Sequence, residues 1–181
     1  YLYTCLYFAC VEATPMIQPL WMQYPQDLEC YKTEWENTQA MIGPHVMIAP
    51  ILAQDTYSRT VYLPRGTNFE DDKWVSFYDT EQVYKSGQVI TVHAPLDMCP
   101  LFVKAGAVLP MREKVAENVY ETSKSPLQLK LFGKPNKDVK SLLYLDDGLT
   151  QDFQSAAYGL YDISNAADLK LVKGNGFATT L

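Results

Sequence analysis

Leu2, Leu6, Ala9 and Ala13 fall on one stripe at helical spacing, and the run stops at Thr14-Pro15, where the residue before proline is pushed toward extended backbone. The pattern predicts a short amphipathic helix feeding a strand. Met16 to Trp21 is that strand, a compact apolar run interrupted by Gln18 and Pro19, and the proline confines it to a strand end or an edge. Tyr24-Pro25-Gln26-Asp27 reads as a turn. Residues 28–39 carry Glu29, Lys32, Glu34 and Glu36 among apolar positions and fit either a short surface helix or an irregular loop.

From here the period shortens. His45 to Leu52 is a buried-type strand behind Gly43-Pro44, and Arg59 to Leu63 is a β-branched and aromatic run closed by Pro64-Arg65-Gly66. Trp74 to Tyr78, Gln88 to Ala94, Leu101 to Lys104 and Ala107 to Leu109 follow, separated by Ser86-Gly87, Pro95-Leu96-Asp97 and Ala105-Gly106. Short strands at this spacing, punctuated by Gly and Pro, predict an antiparallel sandwich. Arg112 to Ser125 is charged and has no apolar period, which marks it as a linker. Beyond it Leu127 to Phe132 alternates, Ser141 to Leu145 is strand-like, and Asp147-Gly148 predicts a hairpin turn before Leu149 to Phe153. Leu169 to Val172 and Phe177 to Leu181 are weaker strand candidates, and no internal repeat is visible.

Composition narrows what such a chain does. With 181 residues and 48% apolar content it can bury a sizeable core, as one domain or two small ones. A net charge of -6 and a pI near 4.9 leave no basic stripe for a phosphate backbone, so nucleic acid is not an expected partner. The apolar runs are far shorter than a bilayer span, and no membrane-spanning helix is expected. Tyr1-Leu2-Tyr3-Thr4-Cys5 lacks the basic leader and small-residue cleavage site of a secretory signal. The sequence contains no Asn-x-Ser/Thr acceptor either, so the compartment is not written in it.

The reactive side chains are few. Cys5, Cys10, Cys30 and Cys99 have no CxxC spacing, and with His45 and His93 the supply of metal ligands is thin, so no metal and no cofactor are expected. Cys5 and Cys10 fall on different helix faces and read as buried free thiols, while a bridge through Cys30 or Cys99 stays open. Adjacent Asp146 and Asp147 resemble a carboxylate pair, but Asp-Gly is what a hairpin turn asks for. Asp71 and Asp72, beside Glu70 and Lys73, read as a solvated face, and Asp27 as a turn residue satisfying backbone donors. Neither histidine has a serine or cysteine partner at usable spacing, so both are assigned structural or surface roles. Trp21 and Trp74 stand in apolar strands and are expected to be buried; Trp35 is the open case. No catalytic, substrate-binding or metal residue is assigned within the chain.

The order of motifs resembles the C-terminal portion of glycoside hydrolase family 31, which includes α-glucosidases and α-xylosidases. Leu2-Tyr3-Thr4 with Leu6-Tyr7 looks like the helix before that family's last barrel strand, and Pro15 to Trp21 like the strand itself. Gln39-Ala40-Met41-Ile42-Gly43-Pro44 followed by Val46 to Ile51, then Val61-Tyr62-Leu63-Pro64, Trp74, Gly87-Gln88, Ala94 to Asp97, Pro100 to Val103 and Ala105 to Pro110, keep the family's order through its proximal β domain. Leu143-Tyr144-Leu145-Asp146-Asp147-Gly148 resembles the distal domain's hairpin, and Pro19 to Asp27 is similar to the glucosidase II branch. The resemblance implies a mainly β chain: residues 1–24 as the tail of a catalytic (β/α)8 barrel, 25–110 as a proximal β-sandwich and 111–181 as part of a distal β domain. It further implies a retaining α-glycosidase acting on terminal α-linked glucose, whose catalytic aspartates and remaining barrel lie outside this chain, on the same or a separate polypeptide. A secretory-pathway location follows from the family alone. Gln18 stands where the family usually has arginine, Ala40 where an aromatic is usual, and Lys104 where arginine is common. Gln18 motivates one alternative, a non-catalytic family member or split fragment serving as a structural subunit; another is a carbohydrate-binding sandwich, which requires exposed aromatics on one sheet face.

Overall fold

The first helix, α1 (Leu2–Glu12), ends just before Thr14-Pro15, but it turns a different face inward from the one its apolar spacing predicts. Thr4 and Cys5 are its buried residues, while Leu2 and Leu6 stay 55% and 47% exposed. Of the helix's two cysteines, Cys5 is buried and Cys10 exposed, so the expectation of two buried thiols holds for one. The computed structural model describes residues 1–66, 72–166 and 169–176. Across them the chain is mainly β, with antiparallel strands and short helices.

After α1 come β1 (Ile17–Pro19), α2 (Leu20–Gln23), a 3-10 turn (Leu28–Tyr31) and α3 (Thr33–Glu36). The strands β2 (Ala40–Ile42), β3 (Val46–Ile48), β4 (Ser58–Leu63), β5 (Lys73–Ser76), β6 (Val83–Lys85), β7 (Gln88–His93) and β8 (Leu101–Lys104) follow. Among the described residues, six of these strands form one sheet in the order β1-β2-β3-β8-β5-β6, and β4 pairs with β7 in a second. Trp21 therefore belongs to a helix rather than to the strand before it. Proline explains the cut, since Pro19 ends β1 and then takes the position before the first turn of α2.

Leu2 and Phe8–Ala105 make one compact unit. Its core joins residues from both sheets and from the 28–39 stretch: Met41, Met47, Trp74 and Phe102 with Val61, Tyr62 and Leu63, and with Leu20, Cys30 and Trp35. The charged look of 28–39 is misleading about burial. Glu34 and Glu36 are exposed and Glu29 accepts from the Trp35 indole N–H at 3.1 Å, while Cys30 and Trp35 are 0% and 3% exposed. The β6–β7 turn needs Gly87, whose φ is +74° and where a side chain would run into Arg65 at 2.3 Å.

Tyr1, Tyr3–Tyr7 and the chain from Gly106 onward make the other unit. It contains β9 (Val108–Arg112), α4 (Val119–Ser123), β10 (Leu127–Leu131), β11 (Leu142–Leu145), a 3-10 turn (Asp152–Ser155), β12 (Gly159–Asp162) and β13 (Lys170–Gly174). β9 pairs with β10, and β11-β12-β13 form a meander; Val108, Leu127, Leu143, Leu145 and Ile163 share one core. Arg112 to Ser125, expected to be a linker, is a closed excursion between two paired strands. Arg112 donates to the Ser125 carbonyl at 2.8 Å, Lys114 N–H to Ser125 Oγ at 2.9 Å, and Asn118 Oδ1 caps α4. Such polar self-bonding leaves the same sequence signature as a linker. Leu149 to Phe153 is likewise not a strand: β11 pairs with β12 across a longer loop, and Leu149 is 75% exposed. Of Leu169 to Val172, the last three residues fall in β13, whereas Phe177 to Leu181 lies outside the described residues.

Candidate functional site

Among the described residues the most connected acid is Asp27, and it is 3% exposed. It stands immediately before the 3-10 turn, where Oδ1 accepts from Glu29 N–H at 3.3 Å, the bond expected of a capping aspartate. Its other oxygen reaches across to β4 and accepts from the Tyr62 hydroxyl at 2.6 Å and the Arg65 backbone N–H at 2.8 Å. The Arg65 guanidinium lies 3.7 Å from Oδ1. Burial, and then the hydrogen bond to Asp27, hold the Tyr62 phenol far above the usual tyrosine range. The Cys30 thiol beside them is pushed up to about 12 by burial and by the Asp27 charge, so it is an inert thiol rather than a nucleophile.

Gln39 completes this node from the other side. It is 4% exposed, its carbonyl oxygen accepts from Tyr62 N–H at 2.9 Å, and its amide donates to the Tyr62 carbonyl at 2.8 Å. One side chain thus acts as a short β-ladder partner for β4. Tyr62 and Gln39 escape sequence reasoning because neither stands beside an acid or a histidine in the chain.

The Asp146-Asp147 pair is divided in its tasks. Asp146 accepts from the Tyr3 hydroxyl at 2.7 Å, the Tyr144 hydroxyl at 2.7 Å and Gly148 N–H at 2.9 Å. Burial and this shared carboxylate push Tyr3 up to about 12 and Tyr144 further. Tyr7 stacks on Tyr144 with ring centroids 4.1 Å apart, and Thr4 Oγ1 accepts from Tyr144 N–H at 3.0 Å. Asp147 instead folds its own loop, accepting from Leu149 N–H, Thr150 N–H and the Thr150 hydroxyl, and that hydroxyl leads in holding its carboxyl below the ordinary range.

Asp72 is not on a freely solvated face: it is half-buried, with its carboxylate 4.0 Å from Lys104 Nζ, and Asp71 lies outside the described residues. His45 is buried and His93 exposed, on different strand ends of one unit. Trp35 and Trp74 are buried, the latter donating to the Pro64 carbonyl at 3.0 Å. Trp21, expected to be buried, is half-exposed and stacks on Tyr31 with centroids 6.1 Å apart. Cys30 and Cys99 are free thiols, so neither forms the bridge left open by the sequence. Gln18 is 5% exposed and donates to the Pro15 carbonyl at 2.8 Å.

These carboxylates, held on backbone amides and tyrosine hydroxyls, sit in a mainly β chain of antiparallel sheets. The profile of the glycosyl hydrolase family 31 C-terminal domain matches residues 13–109, and the chain belongs to that family. Neutral alpha-glucosidase C of Mus musculus is 31% identical over 150 residues, covering 82% of this chain and 16% of its own length. A crystal structure of a Flavobacterium johnsoniae family 31 dextranase complexed with glucose superposes with a TM-score of 0.76 at 30% identity, over 90% of this chain and 19% of that one. The alpha subunit of glucosidase II, in a Tris-bound crystal structure, shares the fold at 21% identity with a TM-score of 0.75, over 89% and 17% of the two chains. The chain thus spans about one sixth of the length of its relatives, 16% in the glucosidase.

Proposed function

We propose that this chain is the C-terminal structural segment of a retaining α-glycosidase acting on terminal α-linked glucose. Residues 1–24 are the tail of the catalytic barrel, 25–110 a proximal β-sandwich that supports it, and 111–181 part of a distal β domain. Retaining hydrolysis needs two carboxyl groups about 5 Å apart, one attacking the anomeric carbon and the other serving as acid and then base. The observation that carries the reading is the occupancy of the acids nominated within the chain: Asp27, Asp146 and Asp147 each accept from three protein donors and hold the fold. In this reading the reacting aspartates belong to the barrel, on the same or a separate polypeptide. The exposed apolar face of α1 that carries Leu2 and Leu6, at 55% and 47%, supports a neighbouring element there. The chain alone is expected to give no turnover of an aryl α-glucoside; clear turnover would overturn the assignment.

A second reading is favoured by one residue. The family's arginine position holds Gln18, whose amide is buried and bonds locally to Pro15, so an anchoring ion pair is replaced by a self-contained contact. In that reading the parent is a non-catalytic family member or the chain a split structural subunit. The mass of the native polypeptide and the sequence joined to residue 1 separate the two, since intact paired aspartates favour the enzyme and their loss the scaffold.

A further inference from the structure

Between the Phe77–Gln82 turn and β7 lies a cleft of about 330 Å³ that none of the acidic nodes above uses. Its floor is Phe102, 2% exposed, with Tyr84 set edge-on against it at 5.9 Å and 73°. At its rim Tyr78 keeps 53% of its surface in water, yet its ring is not loose, because the hydroxyl donates to the Cys99 carbonyl at 3.0 Å. The polar wall is aligned in advance: Tyr84 OH donates to Gln82 Oε1 at 2.8 Å, and Gln82 Nε2 donates to Asp79 Oδ2 at 2.9 Å. Glu81 N–H fixes the second oxygen of Asp79 at 3.1 Å. His93 closes the far side.

Charge and polarity together select the ligand. Among the described residues the cleft is lined by one carboxylate and by no lysine or arginine, so a phosphate or carboxylate would enter without a counter-charge. A wholly apolar ligand would strip water from Asp79, Gln82 and His93 and return no hydrogen bonds. A neutral ring with one apolar face and a rim of hydroxyls meets both requirements, and the volume is at the small end for ligand sites. We propose that this cleft is a saccharide-binding site for one or two neutral pyranose units, with Tyr78 as the stacking platform and Asp79, Gln82 and His93 as hydroxyl partners. The proposal does not rest on where the catalytic aspartates lie, and its readout is binding rather than hydrolysis.

Amide NMR of the 15N-labelled chain, titrated in turn with maltose, sodium phosphate and tetramethylammonium chloride, tests it. Maltose should give saturable shifts confined to residues 76–84 and 91–102. Tyr78→Ala should weaken binding about tenfold, and Tyr78→Phe, which keeps the ring, should stay within about twofold. Should Tyr78→Ala lose its native spectrum, Gln82→Ala decides, because Gln82 is exposed and outside the core; about fivefold weaker binding is expected, and unchanged binding overturns the site. The proposal is also overturned if maltose gives no saturable shifts, if they fall elsewhere, if Phe and Ala lose binding equally, or if either salt responds more strongly.

Discussion

Asp27 shows how one side chain can join a turn to a strand. Removing it in Asp27→Ala takes the acceptor from the buried Tyr62 hydroxyl and breaks the bond from the Arg65 N–H, which together should cost about 3 kcal/mol of unfolding free energy. Tyr62→Phe removes a single bond to that carboxylate and should cost about 2 kcal/mol in the same urea titration. A second residue-scale chain runs from Ser141 N–H to Ser164 Oγ at 2.9 Å and from that hydroxyl to Asp162 Oδ1 at 2.6 Å. The Ser164 side chain, with its backbone N–H, holds the Asp162 carboxyl below its ordinary 3.8. A depressed folded value means that the contribution is complete above 3.8 and is lost as pH falls through the folded value. Ser164→Ala should therefore flatten the loss of stability as pH falls below 3.8, and at neutral pH it should cost about 1–2 kcal/mol by removing the hydroxyl that accepts from the Ser141 N–H. Chemical denaturation across pH with both proteins checks the two effects together.

At the scale of elements, alternation and punctuation carried most of the sheet. Gln88 to His93 alternates half-buried and exposed as a one-faced strand should, and Ser86-Gly87 marks its turn. Gly87→Ala should cost about 1–2 kcal/mol, from the left-handed backbone and the Arg65 contact, read as a lowered melting midpoint. What composition hid were elements too short to show a period. Ala40–Ile42 and Val83–Lys85 are three residues each, and Gly159–Asp162 has a glycine where a strand signal is sought. Leu149 to Phe153 failed for the opposite reason: its apolar residues look like a strand, but Asp147 had already committed the backbone amides to a turn. The site was legible only in its acids. That Asp27 and Asp146 would be shared with distant tyrosines depends on separations of 35 and 143 residues, which no local pattern records.

For the whole molecule, the exposed stripe of α1 is the feature that a missing neighbour would explain. Leu6→Gln should change stability by less than about 0.5 kcal/mol, because the side chain is already in water, and should reduce concentration-dependent light scattering of the chain. A large loss of stability would mean that the stripe supports this chain itself. One of the two outer strands of the six-stranded sheet, β1, has a separate consequence. β1 is three residues long, meets only β2 among the described residues, and ends in a proline that has no N–H to offer. A rim so short and so poor in donors is a weak template for a stranger's strand, so copies of this polypeptide should resist pairing edge to edge through β1 even where nothing else covers that rim.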